Sequence, residues 1–434
     1  MASSKNPFND QPQHYSFSKK FFSYSSYALL LLVFLHFYFS PFSFSPIHHP
    51  HSPSNNHILI SSSKGVLDKN NIVKKKSCDY SKGEWVRNKL GPSYNGSTCE
   101  TIKPGQNCMV SGRPDRDYLY WRWKPKQCEL PRFQPETFLQ LLRNKHIAFV
   151  GDSLARNQLE SLLCMLATAS KPNLYYTDGE ENKFRKWFFA SHNMNVSIYW
   201  SPFLVKGIEK ENEGSFNTLF LDSVDERWAA DLKDIDMLVL SAGHWYLHRA
   251  IYHYGNSVLG CHALENCTEI GFYDVFGKAL RTSFEGVIQR KGPSGSAISV
   301  FLPTFSPAHF EGEWDMLGAC SKTLPYKGNE KALKMMDAEM RRVGVEQVKE
   351  AQSKAEKFGS NVRIEALDIS ELAVLRADGH PGPYMHPFPF ANGVPQRVQN
   401  DCAHWCLPGP IDTWNEIMLE LIKRRAGKLK AKTS

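Results

Sequence analysis

Residues 145–166 form the stretch that most constrains the fold, because an apolar run, a glycine and a leucine-rich segment follow one another there. Residues 146–150 favour a β-strand, and the leucines after Gly151 recur at the spacing of an α-helix. Ser153 is therefore predicted to lie where a strand gives way to a helix N-terminus. The unpaired backbone N–H groups of a helix start can stabilise an oxyanion, which suits a nucleophile. Asp152 and Ser153 are also good N-cap residues, so a purely structural role is the alternative.

A candidate base lies near the other end of the chain, in residues 400–406, which read Asn-Asp-Cys-Ala-His-Trp-Cys. Asp401 and His404 are three residues apart, so on a helical turn their side chains share a face. In a Ser-His-Asp site, the carboxylate orients a neutral imidazole that takes the proton of the serine hydroxyl. Cys402 and Cys406 flank His404, and disulfides there would fix the loop. With the serine described above, the pair predicts a catalytic triad.

From Pro131 onward, strand-like apolar runs alternate with helical stretches, which predicts an α/β fold with a parallel sheet covered by helices. Besides residues 146–150, the strand candidates are 196–200, 218–222, 237–241, 298–302 and 362–367. The clearest helix candidates are 330–357 and 411–425. Active sites of such sheets lie at the carboxyl ends of the strands. Ser153 and Gly243 each fall just past a predicted strand, so a site is expected there.

Other residues near these strand ends are weaker candidates. Gly243 could supply a second oxyanion N–H, although a simple turn glycine explains it equally well. Arg156 and Asn157 lie in the first helical turn after Ser153 and are predicted to face the site, with a surface position as the alternative. Four histidines crowd one stretch, but their spacing matches no standard zinc site, so no metal is predicted. These histidines are His244, His248, His253 and His262.

The N-terminal part of the chain predicts a membrane anchor. Residues 1–20 are polar, whereas residues 21–39 are apolar and aromatic and would span about 30 Å as a helix, the thickness of a bilayer core. Lys5, Lys19 and Lys20 precede this run and no Lys or Arg follows before residue 64, which places the N-terminus in the cytosol. A cleaved signal peptide is the alternative, but no small-residue cleavage pattern follows. Residues 40–76 lack apolar periodicity and are interpreted as a flexible luminal stem.

The cysteines indicate an oxidising compartment. All ten lie from residue 78 onward, and an even number confined to the predicted luminal part indicates disulfides rather than metal. Glycosylation sequons at Asn95, Asn195 and Asn266 fit a secretory lumen, and the short aromatic-rich anchor suits the Golgi. Residues 77–130 are dense in Cys and Trp and predict a disulfide-stapled subdomain, followed by a catalytic domain over 131–434.

Several short motifs, together with the Gly-Asp-Ser and Asp-x-x-His blocks, resemble those of the plant trichome-birefringence-like family of polysaccharide O-acetyltransferases. They are Cys78-Asp79-Tyr80, Gly83-Glu84-Trp85-Val86, Tyr94-Asn95-Gly96-Ser97-Thr98-Cys99, Gly112-Arg113-Pro114-Asp115 and Trp121-Arg122-Trp123-Lys124-Pro125. Three further segments resemble the xyloglucan-acetylating branch, namely residues 158–164, 200–204 and 260–262.

This resemblance implies an SGNH/GDSL-hydrolase-like fold and transfer of acetyl from a donor of unknown identity, through acetyl-Ser153, to galactosyl side chains of xyloglucan. No bound cofactor is expected, and the N-terminal features described above predict a single-pass type II protein of the Golgi membrane with a luminal catalytic domain. The resemblance favours roles for Arg156 and Asn157 in orienting the acyl group. The disulfides it implies are Cys78 with Cys128, Cys99 with Cys164, Cys108 with Cys406 and Cys320 with Cys402, which leaves Cys261 to pair with Cys267.

Aromatic residues and charge bear on the acceptor. Trp121, Trp123 and Trp245 are predicted to contact sugar faces, although most tryptophans are core residues. The net charge of +8 is scattered and nucleic acid is implausible in a lumen, so a neutral glycan is the favoured partner. Another wall polysaccharide such as xylan, mannan or pectin is the alternative acceptor. An acetyl esterase with the same triad and a glycan-binding protein without turnover are the alternative functions.

Overall fold

A seven-stranded sheet organises the part of the chain that this computed structural model describes, which comprises residues 78–179, 183–210, 215–293 and 295–433. The predicted tail 1–20, anchor 21–39 and stem 40–76 lie outside the described residues. Within the described ranges, no helix combines the length and the apolar character needed to cross a membrane.

The strands of the described residues are short, as is typical of α/β domains. In chain order they are β1 Gly83–Arg87, β2 Trp121–Pro125, β3 His146–Gly151, β4 Asn173–Asp178, β5 Phe184–Phe189, β6 Met194–Trp200, β7 Val205–Ile208, β8 Asn217–Val224, β9 Met237–Ser241, β10 Ala250–Tyr254, β11 Ser257–His262, β12 Ile298–Pro303 and β13 Val362–Leu367. The α-helices are α1 Pro135–Leu141, α2 Ser153–Ala167, α3 Glu226–Ala229, α4 Tyr273–Lys291, α5 Met335–Lys357, α6 Ser370–Val374 and α7 Asp412–Thr433.

The central sheet has the strand order β13-β12-β9-β3-β6-β5-β4. The strands from β13 to β6 are parallel, and β5 and β4 add an antiparallel edge. The predicted parallel sheet is therefore confirmed. From β3 the chain first builds β6 on one side and later β9 on the other. A crevice forms where the strand order reverses in this way, so ligands of open α/β sheets bind there.

Alternation of side chains along β3 explains why both faces of the sheet are covered. Ile147 and Phe149 belong to one buried cluster with α2 and α7, whereas Ala148 and Val150 belong to another with α4 and α5. Successive side chains of a strand point to opposite faces, so an uninterrupted apolar run fits a strand buried on both sides. This buried position fixes the end of β3, and with it the start of α2, inside the molecule.

The regular structure differs from the prediction in two respects. Residues 218–222 do form a strand, but β8 belongs to a smaller sheet of order β11-β10-β8-β7 rather than to the central one. Helix α4 was not among the predicted helices. Its Gly277 weakens the helical pattern, yet a side chain there would lie 3.3 Å from Val343 of α5, so the glycine allows the two helices to pack closely.

The N-terminal segment of the described chain shares a core with the catalytic part. Strands β1 and β2 form an antiparallel pair, and the rings of Trp85 and Trp123 meet edge to face with centroids 5.5 Å apart. Both tryptophans belong to the cluster that contains α2 and α7. The ten cysteines pair as the family resemblance implied, and no cysteine of the described residues is free. The predicted stapled segment is thus joined to the rest by both apolar packing and disulfides.

Candidate active site

The turn that carries Ser153 is held tightly between β3, β9 and α2. Gly151 has φ of 152°, and a Cβ there would lie 1.7 Å from the carbonyl oxygen of Ser241, so no other residue fits without moving β9. The Asp152 N–H donates to that same carbonyl at 3.1 Å. The Asp152 carboxylate then caps α2 by accepting from the Leu154 N–H at 2.9 Å. Ser153 becomes the first residue of the helix, half-buried at the carboxyl end of the sheet.

Asp401 and His404 lie side by side, as their spacing predicted. The His404 Nδ1–H donates to Asp401 Oδ2 at 2.7 Å, and Asp401 Oδ1 accepts from the backbone N–H groups of Ala403 and His404 at 3.1 and 2.9 Å. Burial would raise the pKa of Asp401, but His404 and these N–H groups lower it to about 2. Asp401 is therefore a carboxylate at neutral pH, and it fixes the tautomer in which His404 Nε2 can accept a proton.

Distant segments fix the loop of residues 400–407 that carries His404, called the base loop below. Cys402 is bonded to Cys320, and Cys406 to Cys108. Asp401 also forms a backbone bridge with Gly382, with N–O distances of 2.9 and 3.1 Å. The base is thus positioned by partners that lie far away in the sequence.

Asn157 connects the nucleophile helix to the base loop. Its Nδ2 donates to the Trp405 carbonyl at 3.1 Å, and its Oδ1 accepts from the Trp405 N–H at 2.8 Å. Asn157 is fully buried, and both polar atoms of its amide are bonded to Trp405. The predicted orientation of Asn157 toward an acyl group in the site is therefore wrong. Because Asn157 lies one helical turn after Ser153 and Trp405 follows His404, this contact brings the serine and the histidine together.

Gly243 lies beside Asp152 at the end of β9. Burial raises the pKa of Asp152 to about 6, against the opposing effects of the N–H groups of Leu154 and Gly243 and of the charge on His404. These interactions place Asp152, Gly243 and His404 around one point. A cavity of about 10 Å³, lined by Asp152, Gly243 and His244, has room for no more than about one water.

Aromatic side chains line the sheet edge next to Ser153. Trp200 pairs with Gly151 in the sheet register and is half-buried. Its ring meets that of Trp245 edge to face at 5.5 Å, and the Arg156 guanidinium lies 5.8 Å from its centroid. Trp245 and Arg156 are thus near the site as predicted, whereas Trp200 was not chosen as a site residue. Its position at the end of a predicted strand was the signal that could have identified it.

Trp121 and Trp123 do not lie beside Ser153, which corrects their predicted role as contacts of a sugar at the site. Trp123 is 1% exposed, and its Nε1–H donates to the Tyr80 carbonyl at 2.8 Å, so it is a core residue. Trp121 lines a separate cavity of about 220 Å³ together with Met165 and Glu416. Met165 is near the far end of α2, about 18 Å along the helix from Ser153. Residues 121 and 123 lie on the same face of β2, so their different surroundings come from their positions along the strand, where Trp123 is opposite Trp85 and Trp121 is opposite Arg87.

The crowded histidines have unrelated partners. His244 Nε2–H donates to the Ser306 carbonyl at 2.8 Å, and burial lowers the pKa of His244 to about 4. His253 stacks on Phe220, and His262 contacts Glu269. In the described part of the chain, no group of three or more His, Cys, Asp or Glu residues is arranged to hold a metal ion.

Two families match adjacent parts of the chain. Residues 130–421 match a GDSL/SGNH-like acyl-esterase family found in Pmr5 and Cas1p. Residues 76–129 match the PMR5 N terminal domain. The two matches together take in the β1 and β2 strands, the nucleophile turn and the base loop.

Curated relatives extend over nearly the whole chain. It is 60% identical over 428 residues to "Xyloglucan O-acetyltransferase 1" of Populus trichocarpa, covering 96% of this chain and 97% of that protein. It is 57% identical over 350 residues to "Xyloglucan O-acetyltransferase 1" of Arabidopsis thaliana, covering 80% of each. Identity to "Protein trichome birefringence-like 26" of Arabidopsis thaliana is 40% over 416 residues, or 94% of this chain and 88% of the relative.

Proposed function

Because the chain belongs to the GDSL/SGNH-like acyl-esterase family found in Pmr5 and Cas1p, we propose that it is an O-acetyltransferase acting on xyloglucan. The predicted resemblance to trichome-birefringence-like proteins is confirmed by the same comparisons. The observation that carries the chemistry is the 2.7 Å contact between His404 Nδ1 and Asp401 Oδ2. Asn157 holds this pair against the helix that starts at Ser153. The names of the most similar relatives support xyloglucan as the acceptor.

The proposed reaction has two half-reactions. His404 Nε2 takes the proton of Ser153 Oγ, and the oxygen attacks the carbonyl of the acetyl donor while the N–H group of Ser153 at the start of α2 stabilises the oxyanion. The donor leaves with the proton from His404, and Ser153 remains acetylated. A sugar hydroxyl then gives its proton to His404 and attacks the acetyl-serine, and His404 passes this proton to Ser153 Oγ as the serine leaves. The donor is a co-substrate, and these steps assign no role to a bound cofactor.

The acceptor surface that we propose is formed by Trp200, Trp245 and Arg156. The two indole rings present apolar faces of the kind that pack against sugars, and they lie beside the strand end that leads to Ser153. Trp200 is held in place because its Nε1–H donates to Glu209 Oε1 at 2.7 Å. Arg156, which lies near the Trp200 ring, can donate to sugar hydroxyls.

Direct transfer assays test the function. The full chain is incubated with an activated acetyl ester and with xyloglucan, xylan, mannan or pectic oligosaccharides, and the sugars are followed by mass spectrometry. We expect one acetyl group to be added to galactosylated xyloglucan fragments and not to fragments without galactose. A preference for xylan would overturn the acceptor and leave the chemistry in place. Release of free acetate at the same rate with and without sugar would instead identify an esterase.

Tryptophan variants test the acceptor surface. Trp200→Ala or Trp245→Ala should raise the acceptor KM about 5-fold, since loss of one stacking contact is worth about 1 kcal/mol, while the rate of serine acetylation stays unchanged. Trp121→Ala is the matched control, because Trp121 lines the separate cavity and should leave the acceptor KM unaltered. Equal effects of all three substitutions on KM would argue against the proposed surface.

We further infer a single-pass type II arrangement in the Golgi membrane, with residues 1–20 cytosolic, 21–39 as the anchor, 40–76 as the stem and the remainder luminal. The lysines before the anchor, the ten cysteines and the sequons support it. Asn95 and Asn266 are exposed, whereas Asn195 is half-buried in β6 and accepts a hydrogen bond from Tyr175. Protease treatment of intact vesicles should therefore leave the catalytic part protected, and glycan removal should shift its mass at Asn95 and Asn266. Digestion of the catalytic part in intact vesicles would contradict the arrangement.

A further inference from the structure

Two buried histidines, His309 and His380, connect α6 to the base loop. His309 Nε2 lies 2.8 Å from the Val374 carbonyl oxygen, His309 Nδ1 lies 2.7 Å from His380 Nε2, and His380 Nδ1 lies 2.7 Å from the His404 carbonyl oxygen. The side chains are 7% and 3% exposed. Each of the four ring nitrogens therefore takes part in one of three consecutive contacts that end on the backbone of the proposed base.

The number of hydrogens in this chain of contacts is set by chemistry. A carbonyl oxygen can only accept, so His309 Nε2 and His380 Nδ1 must each carry a hydrogen. The contact between the rings needs a third hydrogen, because two bare nitrogens would otherwise face each other with their lone pairs. Two neutral imidazoles carry two hydrogens in total. All three contacts can therefore form together only when the pair holds one extra proton.

The last contact acts on the peptide unit that joins His404 to Trp405. His380 holds the carbonyl oxygen of this unit, and Asn157 holds its N–H. The His380 ring also stacks on the Trp405 ring with centroids 4.2 Å apart. With both ends bound, the peptide plane cannot rotate, and the His404 ring is kept against Asp401. Without the bond from His380, only the N–H end is fixed.

We propose that His309 and His380 are positioning residues whose shared proton holds the backbone of His404 in the catalytic geometry. The proposal rests on the proposed function in one respect, namely that His404 is the catalytic base. When the two rings together carry three N–H hydrogens, all three contacts form and His380 holds the His404 carbonyl. When both rings are neutral, they carry only two N–H hydrogens, so one of the three contacts is lost and the base loop becomes more mobile.

The surroundings determine at which pH the extra proton is lost. Burial lowers the pKa of both His309 and His380, while the bonds to the two carbonyl groups favour the charged form. The extra proton is bound at low pH and leaves as pH rises. The charged and titratable groups around the pair are Lys331 and Lys334 before α5, the ion-paired Arg376 and Asp378 after α6, Arg113 from the N-terminal segment, and Asp401 and His404 from the base loop.

A pH profile distinguishes this role from simple packing. Loss of the shared proton as pH rises should produce an alkaline limb in the pH profile of kcat. In His309→Gln, the neutral side-chain NH₂ group supplies two hydrogens, one for Val374 and one for His380. All three contacts can then form without an extra proton. We expect kcat of the wild type to fall about tenfold on the alkaline limb and that of His309→Gln to stay level, with unchanged acceptor KM. His309→Leu should have low kcat at every pH.

A spectroscopic measurement separates this proposal from the proposed function. The full chain, labelled with ¹⁵N-histidine, is studied by NMR across the same pH range, with His309→Gln and His380→Gln used for assignment. One ring should carry hydrogen on both nitrogens at low pH and lose one along the alkaline limb. Superposable pH profiles of wild type and His309→Gln, or two neutral rings throughout, would overturn the proposal. A wild type that transfers no acetyl at any pH would refute the proposed function, and the NMR result would still decide the proton count.

Discussion

The turn that carries Ser153 and the loop that carries His404 are held by different kinds of contact. The serine turn depends on its own neighbours in the sheet, because Gly151 and Asp152 contact Ser241 of the adjacent strand and Asp152 caps the helix that follows. The base loop contains no regular element and is fixed by distant parts of the chain, among them Cys108, Cys320, Asn157 and Gly382.

This difference shows which half of the site should be easier to disturb. Contacts within a buried sheet open only with the global unfolding of the core, whereas a loop tied by separate side chains can lose one tie and remain folded. We therefore expect changes at the ties of the base loop to lower activity more than stability. Changes at the serine turn that spare the serine should do the reverse.

The largest effect should come from the reacting groups themselves. Ser153→Ala and His404→Ala should each lower kcat by about 10⁵-fold, and Asp401→Asn about tenfold to a hundredfold less, because the imidazole remains in a poorer orientation. Thermal unfolding should show a single transition close to that of the wild type. Near-normal transfer by either alanine variant with such a transition would rule out the triad.

Removal of single disulfides should show that the base loop affects the reaction rate more than the N-terminal segment does. Replacing Cys320 and Cys402 by serine should lower kcat about 100-fold, because the base loop loses one anchor. The matched control removes Cys78 and Cys128. The two disulfides span 82 and 50 residues, so both removals should cost a similar amount, about 4–4.5 kcal/mol by the entropy of loop closure. Kinetics and denaturant unfolding measure both. Equal losses of kcat would show that the base loop depends on global stability alone.

Asn157→Ala should have a smaller effect on rate. It removes both hydrogen bonds to Trp405, so the free energy of unfolding should fall by about 2–4 kcal/mol and kcat about tenfold, with little change in acceptor KM. Gln158→Ala is the matched control, since Gln158 is equally buried but donates to Asn415 of α7. It should lose comparable stability and keep its kcat. A normal kcat in Asn157→Ala would show that the contact does not position the base.

Two carboxyl groups sharpen the comparison through opposite dependences on pH. The pKa of Asp152 is raised to about 6, so its ionisation lowers the stability of the fold as pH rises from about 4 to 6. The pKa of Asp401 is lowered to about 2, so the stability that its carboxylate contributes is lost only as pH falls from about 4 to 2. Asp152→Asn should therefore gain about 3 kcal/mol relative to the wild type between pH 4 and pH 7. Denaturant unfolding at several pH values measures this. A difference independent of pH would show that Asp152 is not held in a raised-pKa environment.

Much of the scaffold could be predicted from local patterns. The apolar run of β3, the glycine after it and the leucine spacing of α2 placed Ser153 at a strand-to-helix turn, because burial of a strand or helix face leaves a periodic trace in the sequence. The three-residue spacing of Asp401 and His404 likewise placed the two side chains together. The pairing of the cysteines came from the family resemblance, since spacing leaves many connectivities open.

Only the tertiary structure decided which distant groups meet. Trp121 and Trp123 carry no local sign that one lines a cavity far from Ser153 and the other lies in the core. Nothing around Asn157 or His380 indicates that both bind the peptide unit after His404. The physical reason is that periodicity records whether a side chain is buried, a property of its own element. The identity of its neighbour depends on how the sheet order and the disulfides bring separate parts of the chain together.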